Sequence, residues 1–214
     1  MKLLNQFLAF LIFVFCISGC NVSVNKSIHI GNGETVRNSL NTVNGSIIIG
    51  SECKIYSNCR TVNGRIEVGK NSEVQQLQTV NGRIEIGTKV AVHGDLETVN
   101  GSVTCEAGVQ VEGGISTING SIDLENTTVE RDITSYNGNI TLADNSILQG
   151  DIIINKSKGS SDRIRRLKIR IKQKSVIEGD IIVKDKNMDV RIFLLEGGKV
   201  KGRIKNAELI EEEI

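Results

Sequence analysis

Seven side chains offer nucleophilic or metal-binding chemistry near neutral pH: Cys16, Cys20, Cys53, Cys59 and Cys105, with His29 and His93. A zinc site needs Cys and His at short, paired spacings, and a thiol nucleophile needs a neighbouring base. The two histidines stand in distant parts of the chain, and neither has a carboxylate or nucleophile at a recurring spacing. No metal, no cofactor and no enzymatic activity are therefore expected. Cys53 and Cys59 are close enough in sequence to form a disulfide in an oxidising compartment, with buried free thiols as the alternative.

The second chemically distinctive stretch is cationic. Lys156 to Lys174 holds 9 basic residues against 1 acidic, whereas Cys20 to Asn155 holds 9 against 15. Arg163, Arg165, Arg166, Lys168, Arg170, Lys172 and Lys174 fall mostly at alternating positions, so several would share one face of a strand. Such a face can attract the phosphates of lipid headgroups, lipopolysaccharide or an anionic wall polymer. The plainer alternative is a solvated strand face that discourages edge pairing. No nucleic-acid partner is expected.

The elements that position these residues are set by a tandem repeat. Thr-Val-Asn-Gly begins at Thr42, Thr61, Thr79 and Thr98, continues as Thr-Ile-Asn-Gly at Thr117 and Ser-Tyr-Asn-Gly at Ser135, and has a relic at Ser23. Successive starts lie 19, 19, 18, 19, 19 and 18 residues apart. Helical repeats need about 33 residues or more and propeller blades about 40. Eighteen to nineteen residues suit one turn of a triangular β-helix, with three short strands and three corners. Arg65-Ile66-Glu67-Val68 and Arg83-Ile84-Glu85-Ile86 alternate with period two, as strands with one buried face do. The fold expected is therefore all-β: a single-stranded parallel β-solenoid of about 10 coils, roughly 45–50 Å long at the usual strand spacing. Regular coils occupy 23–140. Looser coils, marked by Gly150-Asp151-Ile152, Gly179-Asp180-Ile181 and Gly202-Arg203-Ile204, run to 206 around a projecting loop at 155–162. Residues 207–214 form an acidic tail or cap.

Asn tolerates left-handed backbone angles and Gly adopts them freely, so Asn-Gly is expected at a corner. Stacking would align Asn25, Asn44, Asn63, Asn81, Asn100, Asn119 and Asn137 as a structural ladder of amides. In the same register Cys59 takes the place of Leu40, Leu77 and Leu96, and Cys105 that of Ile49, Val68, Ile86 and Leu124, so both are expected in the core.

The N-terminus is of another kind. Met1-Lys2 precedes an unbroken apolar run from Phe7 to Ile17, too short to cross a bilayer and suited to a signal-peptide core. The run ends in Ile17-Ser18-Gly19-Cys20, which resembles the lipobox of bacterial lipoproteins. The resemblance implies a signal peptide over 1–19, cleavage between Gly19 and Cys20, acylation of Cys20, and a short lipidated N-terminus over 20–22. Asn21, where that family uses Asp for inner-membrane retention, implies an outer-membrane lipoprotein facing the periplasm.

The run Ser175-Val176-Ile177-Glu178-Gly179-Asp180-Ile181-Ile182-Val183 and the triangular coil pattern are similar to bactofilins, the polymer-forming cytoskeletal proteins. That resemblance implies a right-handed β-helix and, by analogy, end-to-end assembly. The function expected is a lipid-anchored, non-catalytic envelope scaffold or interaction rod. Its partners would be the membrane, through the anchor, and an envelope protein, lipopolysaccharide or wall polymer. A capped monomer is expected ahead of a bactofilin-like polymer, and a polysaccharide-active enzyme is the remoter alternative.

Overall fold

The computed structural model describes residues 22–156, 165–185 and 187–211. The short strands fall into three parallel sheets of ten, ten and nine strands, each strand pairing with its counterparts one coil before and one coil after. The first face begins Val22–Ser23, Leu40–Thr42, Cys59–Thr61 and ends at Ile204–Lys205; the second begins Ile28–Ile30, Ile47–Ile49, Ile66–Val68 and ends at Glu208–Glu211; the third runs from Thr35–Val36 to Lys199–Val200. This is the expected all-β solenoid.

Alternation places the core. On the second face Ile47, Ile66, Ile84, Val103, Ile122 and Ile140 stack at 0% exposure, a continuous column of branched side chains. The outward neighbours Ile48, Glu67, Glu85, Thr104 and Asp123 are in register with one another. β-branched residues suit these pleated, one-side-buried strands. Glu208–Glu211, expected as part of the tail, pairs in parallel with Met188–Leu194 and forms the last strand of the second face.

Thr-Val-Asn-Gly is built differently from a left-handed turn. Thr42, Thr61, Thr79, Thr98 and Thr117 point inward and are essentially buried, while Val43, Val62 and Val99 are half-exposed. A buried hydroxyl needs a partner. The Oγ1 of Thr61, Thr79, Thr98 and Thr117 donates at 2.7–3.2 Å to the backbone carbonyl of Gly45, Gly64, Gly82 and Gly101, the motif's glycine one coil earlier. Thr and Gly of successive repeats are thus one device. Ser135, the last of this row, has its hydroxyl unpartnered, and the row then turns apolar at Ile154 and Val183.

The left-handed residues lie at another corner. Along the motif only Asn25 (φ 58°) and Gly138 (φ 144°) have positive φ. The left-handed row is Gly33, Glu52, Asn71, Lys89, Gly108, Asn126, Asn145, Lys174 and Gly197, between the second and third faces. The motif glycines are needed for close approach instead: a Cβ at Gly64, Gly82, Gly101 or Gly120 would overlap the carbonyl of the glycine below.

Candidate functional site

The asparagine row forms an unbroken chain of side-chain hydrogen bonds. Asn44, Asn63, Asn81, Asn100, Asn119 and Asn137 each donate Nδ2 to the Oδ1 of the preceding asparagine at 2.7–2.9 Å, beginning at Asn25. One amide hydrogen and one carbonyl lone pair of each interior member are engaged within the row, which fixes the orientation of every amide.

The row ends on a cation. Arg165 Nη1 donates to Asn137 Oδ1 at 2.5 Å, and its Nη2 pairs at 3.0 Å with Oδ2 of Asp185, a carboxylate 6% exposed. Arg165 stands at the same strand parity as Leu167, Ile169 and Ile171, which are buried. It therefore departs from the outward cationic face expected for it. It closes the amide ladder where the regular repeat stops.

The rest of the basic strand divides. Arg166 is 80% exposed and reaches Asp189 at 3.5 Å. Lys168 is exposed, Arg170 and Lys172 are half-exposed, and all three are on the outward parity of the second face. Arg163 lies outside the described residues, as do Gly19 and Cys20 and most of the expected loop at 155–162.

The thiols are spent on packing. Cys53, Cys59 and Cys105 are free and 0% exposed. Cys59 is in register with Leu40 and Leu77, and Cys105 with Ile86 and Leu124. Burial pushes the Cys59 and Cys105 thiols up to about 12, so neither supplies a thiolate near neutral pH. Cys53 Sγ donates to the Gly31 carbonyl at 3.0 Å. His93 Nδ1 lies 2.8 Å from Glu112 Oε1 on the surface, and His29 is exposed on the outer side of Ile28–Ile30. Among the described residues no three His, Cys, Asp or Glu side chains form a metal-holding group. No helix among them is long and apolar enough to cross a membrane.

Two of the surface concavities among the described residues carry carboxylates. One of about 480 Å³ is lined by Glu67, Glu85, Glu106 and Lys70. Its Glu67 and Glu85 are engaged by Arg65 and Arg83 at 3.1 and 2.9 Å. The other, about 250 Å³, is lined by Asp95, Glu97, Arg131 and Asp132. Here Gln76 and Gln78 donate to Glu97 Oε2 at 3.2 and 2.8 Å.

At the Gly-Asp corner Asp95, Asp132, Asp151 and Asp180 accept the backbone N–H of Gly114, Asp151, Asp180 and Arg203 one coil on, at 2.7–2.8 Å. These aspartates splice coils together. Gly150-Asp151 and Gly179-Asp180 were visible in the sequence; Asp132, which follows Arg131, and the bond of each aspartate to the next coil's backbone were not.

Desolvation and the neighbouring Asp95 hold the Glu97 carboxyl above its ordinary value, against the pull of Gln76, Arg60 and Gln78. Its folded form binds a proton more readily than the unfolded chain. The cost of the charge is thus absent below the unfolded value near about 4.3 and fully present above the raised folded one. Asp180 runs the other way, held down chiefly by the Arg203 N–H, so its contribution is present above its ordinary value and is lost as pH falls through the folded one. Glu97→Gln is expected to raise the thermal midpoint at pH 7, with the gain vanishing near pH 4. A gain of equal size at both pH values, measured by circular dichroism, would refute this origin.

A scan against protein-family models, a search of curated proteins and a search of solved structures each find no match for this chain.

Proposed function

We propose that this chain is a lipid-anchored envelope protein whose β-solenoid acts as a non-catalytic scaffold or interaction rod, held to the outer membrane through Cys20. The observation that carries the non-catalytic part is how the reactive groups are used. The thiols of Cys53, Cys59 and Cys105 are buried, and the asparagine amides are bonded to one another. The lipobox-like Ile17-Ser18-Gly19-Cys20 supports the anchor. Cys20→Ala is expected to abolish palmitate incorporation and release the protein from the membrane fraction, as globomycin would block its processing. Unchanged labelling and partition in the variant would sink the anchor.

A second reading, end-to-end stacking, is favoured by the last coil. Leu209 is in register with the core residue Ile192 yet is 42% exposed, with Ile204 and Val200 only half-covered beside it. Electron microscopy of the processed protein separates the two: filaments support stacking, and single short rods support the monomeric form.

A further inference from the structure

On the second face cations of the regular coils are matched by acids two residues on: Arg65 by Glu67 and Arg83 by Glu85. On Arg165–Ile171 and the residue after it, the successive outward positions Lys168, Arg170 and Lys172 are all cationic, and none has an acidic partner among the described residues. Residues two apart on a strand stand about 6.6 Å apart, so three positive charges lie along roughly 13 Å. The rung before offers neutral Thr141 opposite Arg170, and Asn139 Oδ1 accepts the Lys168 N–H. On the later rungs Asp189 is engaged by Arg166 and Arg191, and Glu208 by Arg191, while Glu211 follows Ile210 on the last strand.

An apolar centre accompanies these cations. Phe193 is in register with Arg170 on one side and Ile210 on the other, on the outward parity and half-exposed. Lys168 Nζ lies 6.0 Å from the centre of its ring. Of the chain's 5 phenylalanines it alone stands outside the N-terminal apolar segment. A soluble polyanion would be met by the cations alone. Cations around an outward aromatic and an isoleucine are the composition of an interfacial contact, with charge at the phosphate level and apolar groups entering the headgroup boundary.

The geometry points to a membrane-docking patch, formed by Lys168, Arg170, Lys172, Phe193 and Ile210, that rests the C-terminal coils on an anionic phospholipid surface. The patch stands on the C-terminal coils, far in sequence from Cys20, and does not depend on acylation there. It gives the rod a second attachment at its far end, so that it lies along an anionic bilayer rather than standing away from it.

The chain has no tryptophan, so Phe193→Trp in the full chain gives a single reporter at the patch. With vesicles of phosphatidylcholine and phosphatidylglycerol, the indole emission is expected to shift to shorter wavelength and to be quenched by brominated lipid. At about a fivefold gain per cation, the partition coefficient should rise about a hundredfold over that on phosphatidylcholine alone. The effect should disappear in K168E/R170E/K172E and in high salt, and persist in Cys20→Ala. Tyr136→Trp, on the first face, should stay water-like throughout. Equal emission on both vesicle types, survival of the effect in the triple variant, or an equal response from Y136W overturns the proposal. So does reproduction of the shift by soluble polyphosphate, which would make the patch a polyanion site. If F193W fails to fold by circular dichroism, I210W reports on the same contact with the same expected outcomes.

Discussion

Gly101→Ala is expected to lower the thermal midpoint by about 6–12 °C, a loss of about 3 kcal/mol for a domain of this size. A methyl group at Gly101 would run into the carbonyl of Gly82. That carbonyl is also the acceptor for the buried Thr98 hydroxyl at 2.9 Å, and the adjoining Asn100 amide is tied to Asn81 at 2.8 Å. Relief by sliding one coil would break both bonds and propagate, because Gly120 is stacked on Gly101 in the same way. Gly33→Ala is the informative contrast. Gly33 is left-handed at φ 73°, but no atom lies within 4 Å of an added Cβ. Glu52, Asn71 and Lys89 occupy the equivalent corner in later coils with φ of 62, 57 and 57°. Its replacement should therefore cost only about 1 kcal/mol. Urea or thermal unfolding of both variants tests the ordering. Equal losses would mean that backbone angle, not stacking distance, explains the motif glycines.

This contrast marks where the sequence was legible. The period, the alternation and the inward places of Cys59 and Cys105 could be read because each is a repeated pattern of polarity. The reason for each glycine could not, since a tight approach and a left-handed turn select the same residue. The orientation of Thr-Val was hidden for a similar reason. Both residues are β-branched and suit a strand, and a buried threonine is acceptable only because a glycine carbonyl one coil earlier accepts its proton. The basic strand misled through excess. Leu167, Ile169 and Ile171 set its parity, but cations occupy both parities upstream, at Arg165 and Arg166, so the inward one resembled its neighbours. Phe193 could have been flagged earlier: an outward aromatic on Met188–Leu194 breaks the polar rule of that face.

Asp185→Ala is expected to cost about 2–4 kcal/mol, below the full penalty for a broken buried pair because Arg165 keeps some access to water. Asp185 is buried and holds two donors: Arg165 Nη2 at 3.0 Å and the Asn187 N–H at 3.1 Å. Truncation leaves the guanidinium with Asn137 as its partner among the described residues and removes the acceptor of that N–H. Asp185→Asn keeps an acceptor for Asn187 and loses only the charge, so it should fall between the two. Adding Arg165→Met to Asp185→Ala removes the stranded cation and places an apolar side chain beside Leu167, in register with Met188. Much of the loss should then return, and the double-mutant cycle should give a coupling energy above about 1 kcal/mol. Location is a further test. Coils of a solenoid contact chiefly their neighbours, so hydrogen exchange in Asp185→Ala should quicken first in Arg165–Ile171 and Met188–Leu194. The coils from Leu40 to Asn119 should keep their protection. Uniform loss of protection along the rod, or full additivity in the cycle, would mean that Arg165 and Asp185 do not act as the clasp between the regular repeat and the coils that follow it.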